Sequence, residues 1–128
     1  MLQTCNKVKH FTDLIVWEKA HSLFIAMYIK FDNYPRKVGA KTVIEQIFRS
    51  CGSISANIAE GFNSRSTRKY VNYLEIAQKS AAETENWIYK IRDCRLLKTD
   101  TIIPWIGTCN EIQKMLQSLK MNLEKKKR

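Results

Sequence analysis

Among the twelve acidic residues, Glu60, Glu83 and Glu85 are candidates for acid–base chemistry, together with the two histidines, His10 and His21. Carboxyl and imidazole groups act as general acids and bases when a fold brings them together. The sequence around them contains no nucleophile elbow, phosphate loop, HExxH motif or Glu-x-x-His pair. We therefore predict that the protein is not an enzyme and needs no cofactor. His21 is predicted to lie in a helical core.

The cysteines do not have the spacing of a metal site. None of the four cysteines forms a C-x-x-C pair, and none has the sequence spacing from a histidine that is typical of zinc sites. They are Cys5, Cys51, Cys94 and Cys109. Three fall within predicted helices, where cysteine usually behaves as a small apolar residue. The N-terminus lacks a signal-peptide pattern, and no segment has the 18 uncharged apolar residues of a membrane span. The sequence predicts a soluble, cytoplasmic protein with reduced thiols and no metal.

Positive charge is the most unusual property of the composition. The chain has 22 Lys and Arg against 12 Asp and Glu, a net charge of +10. Such an excess favours a polyanionic partner, namely RNA, DNA or an anionic membrane surface. One cluster comprises Arg92, Arg95 and Lys98. Two others would share one end of an up-down helical bundle and are predicted to contact phosphates there: Arg65, Arg68, Lys69, Lys125, Lys126, Lys127 and Arg128.

Ser66 and the start of the third helix would add backbone N–H groups suited to phosphate. The alternative interpretation is a solvated helix start and a frayed, lysine-rich helix end. Binding of the predicted kind would depend strongly on salt and would read few bases.

Four helices are predicted to position these groups within a single domain, residues 1–128. They span about 12–32, 41–61, 67–96 and 101–123, after a basic arm (1–11) and before a basic tail (124–128). Thr12 or Asp13 is predicted to cap the first helix and Pro35 to end it. Gly61 is the predicted C-cap of the second helix, and Ser66 caps the third. Only four Gly and two Pro disfavour an all-β fold. The prediction is an all-α, antiparallel up-down-up-down four-helix bundle.

Each helix carries an apolar stripe, and the first helix carries two. Its predicted core stripe is Leu14, Trp17, His21, Phe24, Ile25 and Tyr28. A second apolar line lies on roughly the opposite side: Val16, Ala20, Leu23 and Met27. Because a bundle helix buries one face, the second line is predicted to be a subunit contact. The alternative is a wide core face on a well-buried helix.

The second helix has a polar stripe beside its apolar one. Its members are spaced by three or four residues: Gln46, Arg49, Ser53, Asn57 and Glu60. They lie away from Ile47, Ile54 and Ile58, with several small residues between the two stripes. This pattern predicts an interface at which helices approach closely, and Arg49 is predicted to pair with a carboxylate such as Glu60 or Glu83 within or between subunits. The alternative is a solvated face.

Residues 46–61, Gln-Ile-Phe-Arg-Ser-Cys-Gly-Ser-Ile-Ser-Ala-Asn-Ile-Ala-Glu-Gly, resemble the signature of the 23S rRNA intervening-sequence proteins. The flanking helices agree with that family over about residues 13–90. The chain departs from the family pattern at Phe48, where a basic residue is common, and at Ser55, where proline is frequent. The missing basic residue weakens the case for phosphate binding at Phe48.

The resemblance implies a small bundle that assembles as a ring, a homopentamer. A related branch, the accessory variability determinants of diversity-generating retroelements, is strongly basic and binds a reverse transcriptase and its template RNA. We predict a basic, oligomeric, RNA-binding accessory protein without catalytic activity. The alternative is an adaptor of the retroelement kind that recruits a reverse transcriptase or a ribosomal component. A membrane role is disfavoured, because the bundle uses up the apolar stripes.

Overall fold

The computed structural model describes residues 7–35 and 37–126. A single 3-10 turn, Phe11–Asp13, precedes four helices: α1 (Ile15–Phe31), α2 (Val38–Phe62), α3 (Thr67–Asp93) and α4 (Thr99–Lys126). These residues include no strand. The predicted all-α fold with four helices is confirmed. None of the helices in the described part of the chain combines the length and apolar character needed to cross a membrane.

The first helix begins differently from the prediction. The predicted caps were Thr12 or Asp13, but His10 caps the 3-10 turn by accepting the N–H of Thr12. The Asp13 carboxylate accepts the N–H of His10 in return, at 3.0 Å. This reciprocal pair is a capping box for the 3-10 turn, and the extended backbone of Leu14 separates the turn from α1.

Two glycines near the ends of α2 also differ from the prediction. The predicted helix left Gly39 in the preceding connection, but α2 includes it. Gly61 is not the C-cap, because it is buried inside the helix and Asn63 occupies the cap position. The cap predicted for α3 is confirmed: the Ser66 hydroxyl accepts the N–H of Lys69 at 3.1 Å.

Neighbouring helices run antiparallel, as hydrogen bonds between their side chains show. Residue numbers rise along one helix as they fall along the next in these pairs: Ser50–Thr84 and Ser53–Ser80 between α2 and α3, and Gln78–Gln117 and Glu85–Gln113 between α3 and α4. The α2–α3 seam is the most extensive contact, and the α1–α4 seam is the least. The described helices therefore form an antiparallel bundle closed most tightly around α3.

Apolar side chains from all four helices fill the centre of the bundle. The stripes predicted for α2 and α4 supply much of it through fully buried residues: Ile47, Cys51, Ile54, Ile58, Ile102, Cys109, Ile112 and Leu116. Burial of an aliphatic side chain of this size contributes about 1.5–3 kcal/mol. This core holds the four helix ends, and hence the charged groups there, in fixed relative positions.

The two faces of α1 are the reverse of the prediction. Val16, Ala20, Leu23 and Met27 were predicted as a subunit contact, but they are 4% exposed or less and belong to the core of the same chain. The predicted core stripe is half-buried at Leu14, Trp17 and Phe24, and exposed at His21, Ile25 and Tyr28. The smaller side chains face inward, while Leu14, Trp17 and Phe24 pack against the edge of the core.

Candidate nucleic-acid interface

The antiparallel order gathers helix ends into two poles. The first pole holds the starts of α1 and α3 and the ends of α2 and α4; the second pole holds the opposite ends. Residues 7–19, 60–75 and 120–126, at the first pole, contain nine Lys and Arg against five Asp and Glu. The middle of the bundle (20–29, 46–59, 76–89 and 101–119) has three of each. The excess charge of the described residues therefore lies at the poles.

Arg65 and Lys69 meet at the first pole. They line one open concavity of about 430 Å³ in front of α3, together with Tyr73 and Glu60. Both cations are exposed, and Tyr73 is half-buried. A phosphate bound there would contact two cations, while the Glu60 carboxylate would limit the local positive potential.

Arg68 faces a different concavity of the same pole. That concavity is also lined by Glu75 of α3 and Glu124 of α4. The arrangement places the end of α4 beside the start of α3, and the exposed Lys125 and Lys126 lie in the last turn of α4. Lys127 and Arg128, which belong to the same predicted site, lie outside the described residues.

One of the backbone donors at the start of α3 is already paired. Ser66 uses its own hydroxyl to accept the Lys69 N–H, so this group is already paired. The side-chain charges of the first pole add to whatever the other backbone donors of this turn contribute. Such charges bind phosphate without reading bases.

The polar stripe of α2 lies along the seam with α3 of the same chain. Arg49 forms a salt bridge with Glu83, and its Nε donates to the Gln46 amide oxygen at 3.0 Å. The prediction that Arg49 pairs with a carboxylate such as Glu83 is thus confirmed, and the pairing lies within the subunit. Farther along, Asn57 donates to the Ser53 carbonyl at 2.8 Å.

Hydroxyl groups continue this seam into the interior. Thr84 is fully buried, and its hydroxyl oxygen lies 2.8 Å from the Ser80 carbonyl oxygen and 3.0 Å from the Ser50 hydroxyl oxygen. The Ser53 and Ser80 hydroxyls are 2.9 Å apart. Because buried polar groups need partners, these pairs fix the register of α2 against α3. The seam is structural, and Glu60 is the member of the stripe that reaches the first pole.

The thiols and histidines have ordinary environments. Burial raises the pKa of the Cys51 thiol to about 12, so it stays protonated at neutral pH. Cys94 is exposed beyond the end of α3, contrary to its prediction as an apolar helical residue. His21 is also exposed, and its ring stacks on Trp17 with centroids 4.6 Å apart, so the predicted core position was wrong. Within the described ranges, no three His, Cys, Asp or Glu side chains are grouped as metal ligands.

Together, the antiparallel packing and the charged ends define a basic four-helix bundle with a structural polar seam between its second and third helices. The sequence profile of the 23S rRNA-intervening sequence proteins matches residues 12–118. The chain belongs to this family.

A solved structure has a similar fold. It is the crystal structure of a protein of unknown function from the S23 ribosomal protein family of Bacteroides thetaiotaomicron, with a TM-score of 0.74 and 26% sequence identity. The similarity covers 83% of the present chain and 98% of that one. No curated protein matches the sequence.

Proposed function

We propose that the protein is an RNA-binding accessory factor without catalytic activity, which holds structured RNA against its first pole. The observation that carries this proposal is the placement of Arg65 and Lys69 on one concavity, with the basic end of α4 at the same pole. A partner that contacts several separated cations at once must carry several phosphates in a chain, which a small anion does not. The membership in a family of 23S rRNA-intervening sequence proteins favours RNA over DNA.

The cations of the pole differ in how they are engaged. The Nζ atom of Lys120 lies 3.5 Å from Oε2 of Glu75, and the Nζ atom of Lys19 lies 3.2 Å from Oε1 of Glu111. Both lysines are therefore paired within the bundle. Among the described residues, Arg65, Arg68 and Lys69 form no salt bridge. These three side chains are available to phosphate without first giving up a carboxylate partner.

Charge reversal at the first pole tests this proposal. In the triple variant Arg65→Glu, Arg68→Glu, Lys69→Glu, electrophoretic retardation of a structured RNA at about 0.1 M salt should be strongly weakened. The wild-type log–log plot of affinity against salt should have a slope that reflects roughly one released counterion for each phosphate contact. The measurement is a titration of labelled RNA at several salt concentrations.

The matched control reverses charges in the middle of the bundle. Lys79 and Lys114 are exposed there, and the double variant Lys79→Glu, Lys114→Glu should retain RNA retardation close to the wild type. Equal circular dichroism spectra would show that both variants are folded. Wild-type affinity in the triple variant would rule out the first pole as the RNA site.

We also propose that the protein self-associates, and that the contact is the outer face of α1 rather than its buried line. Ile25, Tyr28 and Ile29 are 41%, 54% and 70% exposed there. They lie within two turns of one helix, so they form a single apolar patch. Exposed patches of this kind are typical of protein contacts. A homopentameric ring remains the expectation from the family resemblance.

The double variant Ile25→Asp, Ile29→Asp should therefore be monomeric at micromolar concentration, because carboxylates at a subunit contact would be desolvated. Light scattering gives the mass of the variant and of the wild type. The control is Ile103→Asp, which changes a similarly exposed isoleucine on α4 and should keep the wild-type mass. A monomeric wild type would contradict the proposal directly.

An adaptor that binds a protein, such as a reverse transcriptase or a ribosomal component, is the second candidate. This candidate applies if the exposed apolar face of α1 binds a different protein in place of a second copy of the chain. A pull-down at high salt distinguishes the two candidates. Retention of a protein partner after the RNA has dissociated would favour the adaptor, whereas loss of all bound material would favour direct RNA binding.

A further inference from the structure

The second pole is nearly as basic as the first when the described residues are compared. Residues 30–35, 37–45 and 90–100 contain seven Lys and Arg against four Asp and Glu, an excess of three. The excess at the first pole is four, and the middle of the bundle is neutral. The charge of this protein is thus divided between two ends separated by the length of α3, about 40 Å at 1.5 Å per residue.

The cations of the second pole converge without a carboxylate among them. Lys30, Arg95 and Lys98 line one open concavity of about 510 Å³ with Leu96 and Leu97. The first-pole concavity, by contrast, contains two cations and Glu60. The structure therefore forms its more purely cationic concavity at the pole that the predicted phosphate site did not include.

Two hydrogen-bonded loops hold this concavity in place. The Tyr34 hydroxyl, after α1, donates to the Leu96 carbonyl at 2.6 Å, which ties together the loops that follow α1 and α3. Leu96 also donates its N–H to the Ile91 carbonyl at 3.0 Å, and this closes the end of α3. Arg95, the residue before Leu96, has a φ of 58°. This left-handed conformation is usually adopted by glycine at this position.

The neighbouring Arg92 is engaged differently. It forms a salt bridge with Asp93 at 2.8 Å and lies over the Tyr89 ring, 4.9 Å from its centroid. Lys30, Arg95 and Lys98 form no salt bridge with any described residue. These three side chains are thus available to phosphate within one concavity, and Arg95 occupies a position where glycine would be less strained.

We infer that the second pole is a separate RNA-binding surface, so that one protein bridges two RNA segments held at opposite ends of the bundle. This inference rests on the proposed RNA-binding function. Phosphates suit an open surface with cations and no acid, because backbone charge gives affinity without a shaped pocket. The neutral middle of the bundle would leave the two RNA segments apart rather than wrapped along one continuous strip.

A capture assay tests bridging. One double-stranded RNA hairpin is immobilised, the protein is bound at about 0.1 M salt, and a second, labelled copy of the hairpin is added. The wild type should capture the second hairpin. The variant Lys30→Glu, Arg95→Glu, Lys98→Glu should still bind the immobilised RNA but lose at least about tenfold in captured label, since counterion release at one pole is lost.

The second-pole variant also tests whether bridging comes from several first poles in one oligomer, and two further variants test for misfolding. A ring that displayed several first poles would bridge without the second pole, so undiminished capture by the second-pole variant would overturn the inference. Lys79→Glu, Lys114→Glu should capture as the wild type does. Arg95→Gly should raise the melting temperature by relieving the left-handed conformation, yet reduce capture several-fold.

The results also distinguish this inference from the function on which it rests. Wild-type protein that binds the immobilised hairpin but captures no second one would refute bridging and leave RNA binding intact. Wild-type protein that binds neither hairpin would refute both. Capture of a second hairpin by every variant, including Arg95→Gly, would show that the second pole has no part in binding.

Discussion

Met27→Asp should remove much of the protein's stability at room temperature. Met27 is fully buried in the core that α1 shares with the other helices. An aspartate there would lose the apolar contacts of the methionine and bury a carboxyl group, for a combined destabilisation on the order of 5 kcal/mol. Small domains have only about 5–15 kcal/mol of stability in total. Urea unfolding followed by circular dichroism measures the loss.

Ile29→Asp is the matched control on the same helix. Ile29 is 70% exposed, two residues from Met27 and on the outer face. The substitution should change the free energy of unfolding by roughly 0.5 kcal/mol or less when measured at a concentration where the protein is monomeric. The opposite ranking, with Met27→Asp tolerated and Ile29→Asp unfolded, would mean that α1 packs with its aromatic face inward.

This helix shows why the sequence predicted the fold better than it predicted the packing. Helical periodicity and the shortage of glycine and proline were enough to establish four helices and their order. On α1, however, both faces are apolar, and a periodic pattern does not state which of two apolar faces meets the other helices. The buried line of Val16, Ala20, Leu23 and Met27 consists of smaller side chains, which allow closer helix approach than a line with Trp17 and Phe24.

The candidate site was predictable in part for a similar reason. The positions of the basic residues in the sequence and the up-down order were enough to place Arg65, Arg68 and Lys69 at one end of the bundle. The sequence does not show which carboxylates come close in space, such as Glu60 beside Lys69. It also does not show the loop bond from Tyr34 to Leu96, which joins residues 62 positions apart. Both features come from tertiary contacts.

Gly61 gives the second large expected effect, because it lies where α2 and α3 come closest. A Cβ atom added at Gly61 would stand 2.9 Å from Cβ of Tyr73, 2.9 Å from Cδ1 of Tyr70 and 3.3 Å from the Tyr70 carbonyl oxygen. A ring can turn aside, but the Tyr73 Cβ and the carbonyl oxygen move only with the backbone of α3. The glycine is therefore required by close helix packing, and not by a left-handed cap conformation.

Gly61→Val should thus destabilise the protein by about 3 kcal/mol, the upper part of the usual range for overpacked cores. The melting temperature should fall by roughly 10 °C for a chain of this size. Gly107→Val is the matched control, since a Cβ at Gly107 meets nothing within 4 Å. Valine has a higher helix propensity than glycine, so this control should be neutral or slightly stabilising. Equal losses in the two variants would show that the effect comes from valine in a helix, and would contradict close packing of α3 against Gly61.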